Sequence, residues 1–210
     1  MTKLIVRVCY LLLLPLSLAQ AQINTDSIAQ TTSSSAGRSN YKQLVEKLKQ
    51  SDSTLQRTDF LTLYYGSVKQ PSYKLDLIDS LEQNIKEHNL LQEFIQAYEL
   101  ADTLLAFHPV SITAYFEKSF SCYALKRPDE EFINKQKYRL FIKCVLSSGN
   151  GFEATPFVVV SYNDAIEVLK YLQIKYKTIE EKDNNSIVAV LNKKRQGSDQ
   201  LYFRLPVLHP

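Results

Sequence analysis

Apolar positions keep a helical period from residue 41 to about residue 148 and change character after it. Tyr41, Leu44, Val45 and Leu48 fall at i, i+3, i+4 and i+7, the spacing of one helix face, with Asn40 before them as N-cap. Thr58-Asp59 opens a short aromatic helix over residues 60–65. Gly66 closes it, at a position that favours φ > 0. Beyond Pro71, the positions Tyr73, Leu77, Ile78, Leu81 and Ile85 mark another helix. Leu91, Phe94, Ile95, Tyr98, Ala101 and Leu105 form the strongest stripe. It stops at His108-Pro109, because proline has no N–H to give and clashes with the preceding turn. Ser111 caps the next helix, with Ile112, Tyr115, Phe116, Ser119, Cys122 and Tyr123 on one face. After Lys126-Arg127-Pro128, Asp129 caps a last long helix carrying Phe132, Ile133, Leu140, Phe141, Cys144 and Val145.

The period breaks at residues 147–151, Ser-Ser-Gly-Asn-Gly. Residues 157–160 are a continuous apolar run, the mark of a buried strand. Residues 162–172 read as a helix with Ile166, Leu169 and Leu172 inward. Residues 176–181, 187–191 and 201–207 read as three strands joined by polar turns. Leu201, Phe203 and Leu205 alternate with Tyr202 and Arg204, as one buried and one wet sheet face require. The expected class is α+β. Antiparallel helical hairpins of tetratricopeptide-like architecture over 41–148 pack on a small, mostly antiparallel sheet with one helix over 149–210.

The first 21 residues read as a secretory signal peptide. Lys3 and Arg7 form a basic start, residues 8–18 an apolar core, and Leu18-Ala19-Gln20-Ala21 the small-x-small cleavage pattern with Ala19 and Ala21. The apolar run is well short of the roughly 20 residues a bilayer span needs. Cys9 lies at its start rather than its end, which argues against a lipid anchor. The expectation is a secreted or periplasmic chain beginning at Gln22, with no membrane anchor after cleavage. Residues 22–40 are polar and rich in Ser and Thr, and read as a disordered leader before a single domain over 41–210.

Composition removes several functions. Lys and Arg number 25 against 22 Asp and Glu, a net charge of +3 spread evenly, which gives nucleic acid no basic patch. The three histidines are isolated and no C-x-x-C exists, so neither a metal nor a cofactor is expected. Cys122 and Cys144 fall on opposite sides of a helix turn, roughly 16 Å apart along the axis at 1.5 Å per residue. A disulfide needs Cα atoms within about 7 Å, so buried free thiols are expected. Ser148 has no G-x-S-x-G around it, and no catalytic residue is assigned.

Two features remain as candidate binding residues. The Gly149-Asn150-Gly151 loop can present backbone N–H groups to an anion, or Gly149 can simply cap the preceding helix. Tyr64 and Tyr65 stand adjacent on a short helix. Either one of them is exposed as a contact residue, or both bury their rings.

Residues in two stretches carry a family resemblance: Ser53-Thr54-Leu55 with Leu63-Tyr64-Tyr65-Gly66 and Tyr73, then Ser148 to Gly151, residues 155–161, and Leu201-Tyr202-Phe203. In that order they are similar to domain of unknown function 4919, found mostly in exported Bacteroidetes proteins. Asn163-Asp164-Ala165 stands where the resemblance leads one to expect a His-Glu-Tyr-like triplet, and Arg204 where Asn is usual. Any chemistry those family positions carry is therefore not expected here. The resemblance implies fold and location rather than activity. A hairpin array without a catalytic constellation points to a non-enzymatic module that binds a protein or peptide partner. The alternative is a hydrolase or transferase at the helix–sheet junction.

Overall fold

A computed structural model describes residues 23–182 and 185–206. The expected signal peptide, its cleavage residues Ala19 and Ala21, Cys9 and His209 lie outside them.

The described part of the stretch 22–40, expected as a disordered leader, is largely helical. Helix α1 (Thr25–Thr31) and helix α2 (Ser35–Lys49) occupy most of that stretch. The polar residues that suggested disorder act as caps: Asn24 Oδ1 accepts from Ser27 N at 2.9 Å, and Ser34 Oγ from Gly37 N at 3.0 Å. Ala29 and Thr32 are buried, and Arg204 pairs with Asp26 at 3.2 Å, tying α1 to the far end of the chain.

Helix α3 (Arg57–Gly66) is buried along most of its length and continues into a short 3-10 turn over Ser67–Lys69. Gly66 is not a positive-φ cap; its φ is −73°. Its constraint is spatial, since a Cβ there would come within 2.6 Å of Thr32 Cγ2. Gly66→Val is therefore expected to cost roughly 1–3 kcal/mol by overpacking. Thr32→Ser should restore part of that loss, a non-additivity above about 0.5 kcal/mol in urea unfolding. Strictly additive losses would show that Thr32 is not what excludes a side chain.

Helices α4 (Leu75–Leu90), α5 (Phe94–Phe107), α6 (Ile112–Ala124) and α7 (Pro128–Leu146) follow as stacked hairpins. Their register is legible in the contacts. Glu82 and Asn89 of α4 meet Ser111 and Glu117 near or on α6, while Phe116 and Tyr115 of α6 meet Tyr138 and Phe141 of α7 in reverse order. Pro128 takes the first position of α7 and Asp129 lies within its first turn, so Asp129 is not its cap. In α5 the buried face is Ala97, Ala101 and Leu104, rotated from the expected stripe. Its small residues allow a close approach to α4, and Ile95 is left in solvent.

Strand β1 (Phe157–Val158) precedes helix α8 (Tyr162–Tyr171), then strands β2 (Tyr176–Lys182), β3 (Ser186–Arg195) and β4 (Ser198–Arg204). The sheet order is β1-β4-β3-β2, with β1 parallel to β4 and the others antiparallel. Ile187, Ala189, Leu191, Leu201 and Phe203 turn inward, at the period of two expected of a half-buried sheet. Tyr64, Tyr65, Phe141 and Phe203 are the largest side chains wholly inside. Cys122 and Cys144 are free and buried.

Candidate functional site

Both members of the Tyr64-Tyr65 pair are inside, at 0% exposure, so neither is a contact residue. Helix α3 runs through the centre of the domain, where two adjacent rings find two different walls. They meet edge-on, with centroids 4.9 Å apart. Tyr64 Oη donates to Asp164 Oδ2 at 2.6 Å and accepts from Val160 N at 3.3 Å. Tyr65 Oη reaches the carbonyls of Cys144 and Val158 at 3.3 and 3.2 Å.

Asp164 belongs to a buried polar network that ties α8 to α4 and α6. Asn163 Nδ2 donates to Glu82 Oε2 at 2.8 Å, and Ser111 Oγ to Glu82 Oε1 at 2.6 Å. Burial pushes the Glu82 carboxyl from its ordinary 4.5 up to about 7. Burial, and then the neighbouring Glu82 charge, raise Asp164 well above the usual carboxylate range. His108 is buried beside Tyr73, and burial lowers it to about 4. Glu82 and Asp164 are both buried, so the network acts as an internal clamp.

The Gly149-Asn150-Gly151 loop offers no anion cradle. The N–H groups of Asn150 and Gly151 both donate to Thr155 O, at 3.0 and 3.1 Å. Ser147, not Gly149, caps α7. Gly149 is small because the carbonyls of Pro156 and Thr155 press on its Cα, and Gly151 because its φ is +81° beneath Leu201. Ser148 Oγ donates to Val145 O and accepts from Val158 N, at 2.6 and 2.7 Å. Its hydroxyl is committed to the fold, and no histidine lines the space beside it.

That space is a half-open groove of about 1070 Å³, between the start of α3, the end of α7 and the loop. Gly149 and Asn150 line it, whereas Gly151 is buried behind them. Two cations that sequence reading passed over, Arg57 and Lys143, also line it. Cys144 lies in its wall, but burial lifts the thiol to about 12, far from a reactive thiolate. Among the described residues, no group of three or more His, Cys, Asp or Glu is placed to hold a metal ion. No helix among them is long and apolar enough to cross a membrane.

A second surface lies on α6. Phe116, Phe120 and Tyr123 fall at i, i+4 and i+7, and expose 37, 46 and 68% of their area. Phe116 and Tyr123 were expected in the core. The buried face is instead Tyr115, Ser119 and Cys122, because α7 covers that side. The exposed rings are held in place: Phe120 contacts Phe94 of α5, and Phe116 contacts Tyr138, which in turn meets Tyr171 of α8. Lys170 Nζ lies 5.7 Å from the Phe116 ring. The sequence signal was present, as an aromatic series at helical spacing beside a second apolar face.

A family model described as "Domain of unknown function (DUF4919)" matches residues 26–208. The chain belongs to this family. The match begins inside α1, so the helix that replaced the expected leader is part of the DUF4919 domain. Neither a curated protein nor a solved structure matches the chain. In this DUF4919 domain, Asn163 and Asp164 are the residues that join α8 to the buried network. Arg204 is the residue that pairs with α1.

Proposed function

We propose that this DUF4919 chain is an exported, non-enzymatic module that docks a partner protein on the aromatic face of α6. The observation that carries the reading is the series Phe116, Phe120 and Tyr123, three aromatic rings exposed at helical spacing on one helix. Soluble domains rarely leave contiguous rings exposed without a use, and aromatic residues held by their neighbours lose little side-chain entropy on binding. The partner chemistry this favours is an apolar stripe, such as one face of an amphipathic helix.

A photo-crosslinking residue placed at 120 or 123 in the native host is expected to yield one discrete adduct. The same probe at Glu46, exposed on α2, should yield none. Substituting Phe120 and Tyr123 by serine, one at a time, should abolish the adduct formed from the other position. Stability should change by no more than about 0.5 kcal/mol for Tyr123, the more exposed ring. Equal adducts at 46 and 123 would remove the aromatic face as the docking surface.

A further inference from the structure

The groove between α3, α7 and the 147–155 loop has a different chemistry from the aromatic face. Its apolar wall is mainly aliphatic: Ile23, Leu55, Leu61, Leu140 and Leu146, with Phe60. Its charged side chains are Arg57 and Lys143. No carboxylate lines it, and neither cation forms an ion pair among the described residues. Arg57 is close enough to Cys144, the neighbour of Lys143 on α7, to act on its thiol electrostatically. Arg57 sits at the first position of α3, whose N-terminus is closed by Gln56 and Asp59. Asn150 spends its side-chain oxygen on Phe152 N and Thr155 Oγ1, which leaves its amide donors free among the described residues. The groove thus sets Arg57, Lys143 and the Asn150 amide beside an aliphatic wall, with the hydroxyls of Thr58, Ser147, Ser148 and Thr155 also in its lining.

From this complementarity we infer that the groove binds a single-chain anionic amphiphile, a fatty-acid carboxylate, with the carboxylate on Arg57 and Lys143 and the tail along the leucine wall. Its volume, about 1070 Å³, is just above the roughly 300–1,000 Å³ of small-ligand pockets. An extended peptide fits the lining less well. Such a peptide needs backbone partners. Neither edge strand, β1 or β2, lines the groove, and the loop N–H groups of Asn150 and Gly151 are spent on Thr155 O. An acyl chain brings no backbone groups to satisfy. This site stands on different residues from the aromatic face, and each reading can fail without the other.

The test is calorimetric titration of the purified protein with decanoate, dodecanoate and dodecanol, each below its micelle concentration. Dodecanoate is expected to bind at one site. Decanoate, two methylenes shorter, should bind more weakly by up to about fourfold per methylene removed. Arg57→Gln and Lys143→Gln, both on exposed side chains, should each weaken dodecanoate by about tenfold, the loss of one charge-assisted hydrogen bond. Dodecanol binding should not change in either variant. Phe120→Ser should leave dodecanoate binding intact, which separates the groove from the aromatic face. The inference is overturned if dodecanoate does not bind, if both charge variants bind it as tightly as wild type, or if Phe120→Ser abolishes binding. It is also overturned if a short acidic peptide displaces dodecanoate from the groove at lower concentration than decanoate does.

Discussion

Tyr64→Ala and Tyr65→Ala are both expected to lower stability by about 3–5 kcal/mol, the cost of truncating a fully enclosed aromatic side chain. Each ring is at 0% exposure and packs on the other, and Tyr64 lies a further 6.1 Å from Phe141. The hydroxyl adds a second, separable loss at Tyr64. Tyr64→Phe keeps the ring and removes the donor to Asp164, leaving a buried acid short of a partner at a cost of about 1–3 kcal/mol. At Tyr65 the phenol joins the carbonyls of Cys144 and Val158, so Tyr65→Phe loosens the seam between α7 and β1. Urea unfolding of the four variants beside wild type gives the comparison. A loss below about 1 kcal/mol for either alanine variant would contradict the placement of α3 at the centre of the domain.

The second large effect is in pH. Burial raises Glu82 from 4.5 to about 7, so the folded chain holds that proton more tightly than the unfolded chain. The stability this contributes is complete below pH 4.5 and is lost as pH rises through about 7. His108 works the other way. Burial lowers it from 6.5 to about 4, so its contribution is complete above pH 6.5 and is lost as pH falls through about 4. Each shift corresponds to about 3 kcal/mol. Between pH 4.5 and 6.5 the two slopes oppose each other. Above pH 6.5 the carboxyls act alone, and Asp164, also raised by burial and by Glu82, adds to the same side.

Wild-type stability is therefore expected to rise as pH falls from 8 to 6.5 and to level off below. Glu82→Gln keeps a side chain able to hydrogen-bond Ser111 and Asn163. It should gain about 3 kcal/mol at pH 8 relative to pH 5, compared with wild type. His108→Gln should leave a curve that keeps rising on acidification to about pH 4.5. Asp79 and Lys86 on α4, and Glu167 on α8, are the other charged groups that face this pair, and they are present in every variant. Parallel curves for wild type and Glu82→Gln would show that Glu82 titrates as a solvated acid.

Element type was largely written in the periodicity. The helices at 41–48, 60–65, 73–85, 91–105, 112–123 and 129–145 all exist, because apolar spacing at 3.6 records one-sided burial and the Pro and Ser-Thr signals mark its ends. The strand–helix–meander order after residue 147 was legible for the same reason at period two. Which face of each helix is inward was less legible. Helix α6 is apolar on more than one side, and only the arrival of α7 over Ser119 and Cys122 leaves Phe116, Phe120 and Tyr123 outside. In α5, Ala97 and Ala101 rather than the larger Ile95 are buried, since close helix approach selects small residues.

By itself the sequence determined the α+β class, the order of elements after residue 41, the family and the pairless cysteines. Class and element order follow from local period and capping, the cysteines from helix rise across one turn, and the family from short motifs kept in order along the chain. The tertiary structure alone decided that Tyr64 and Tyr65 are both buried, that Gly66 and Gly149 are small because Thr32 and the 155–156 carbonyls press on them, and that residues 25–31 are a packed helix. It also brought Arg57 and Lys143, more than eighty residues apart in the chain, to one groove. The physical reason is common to all four. Each depends on what a distant part of the chain places against a residue, and a one-dimensional pattern records only that a side is covered, never by what.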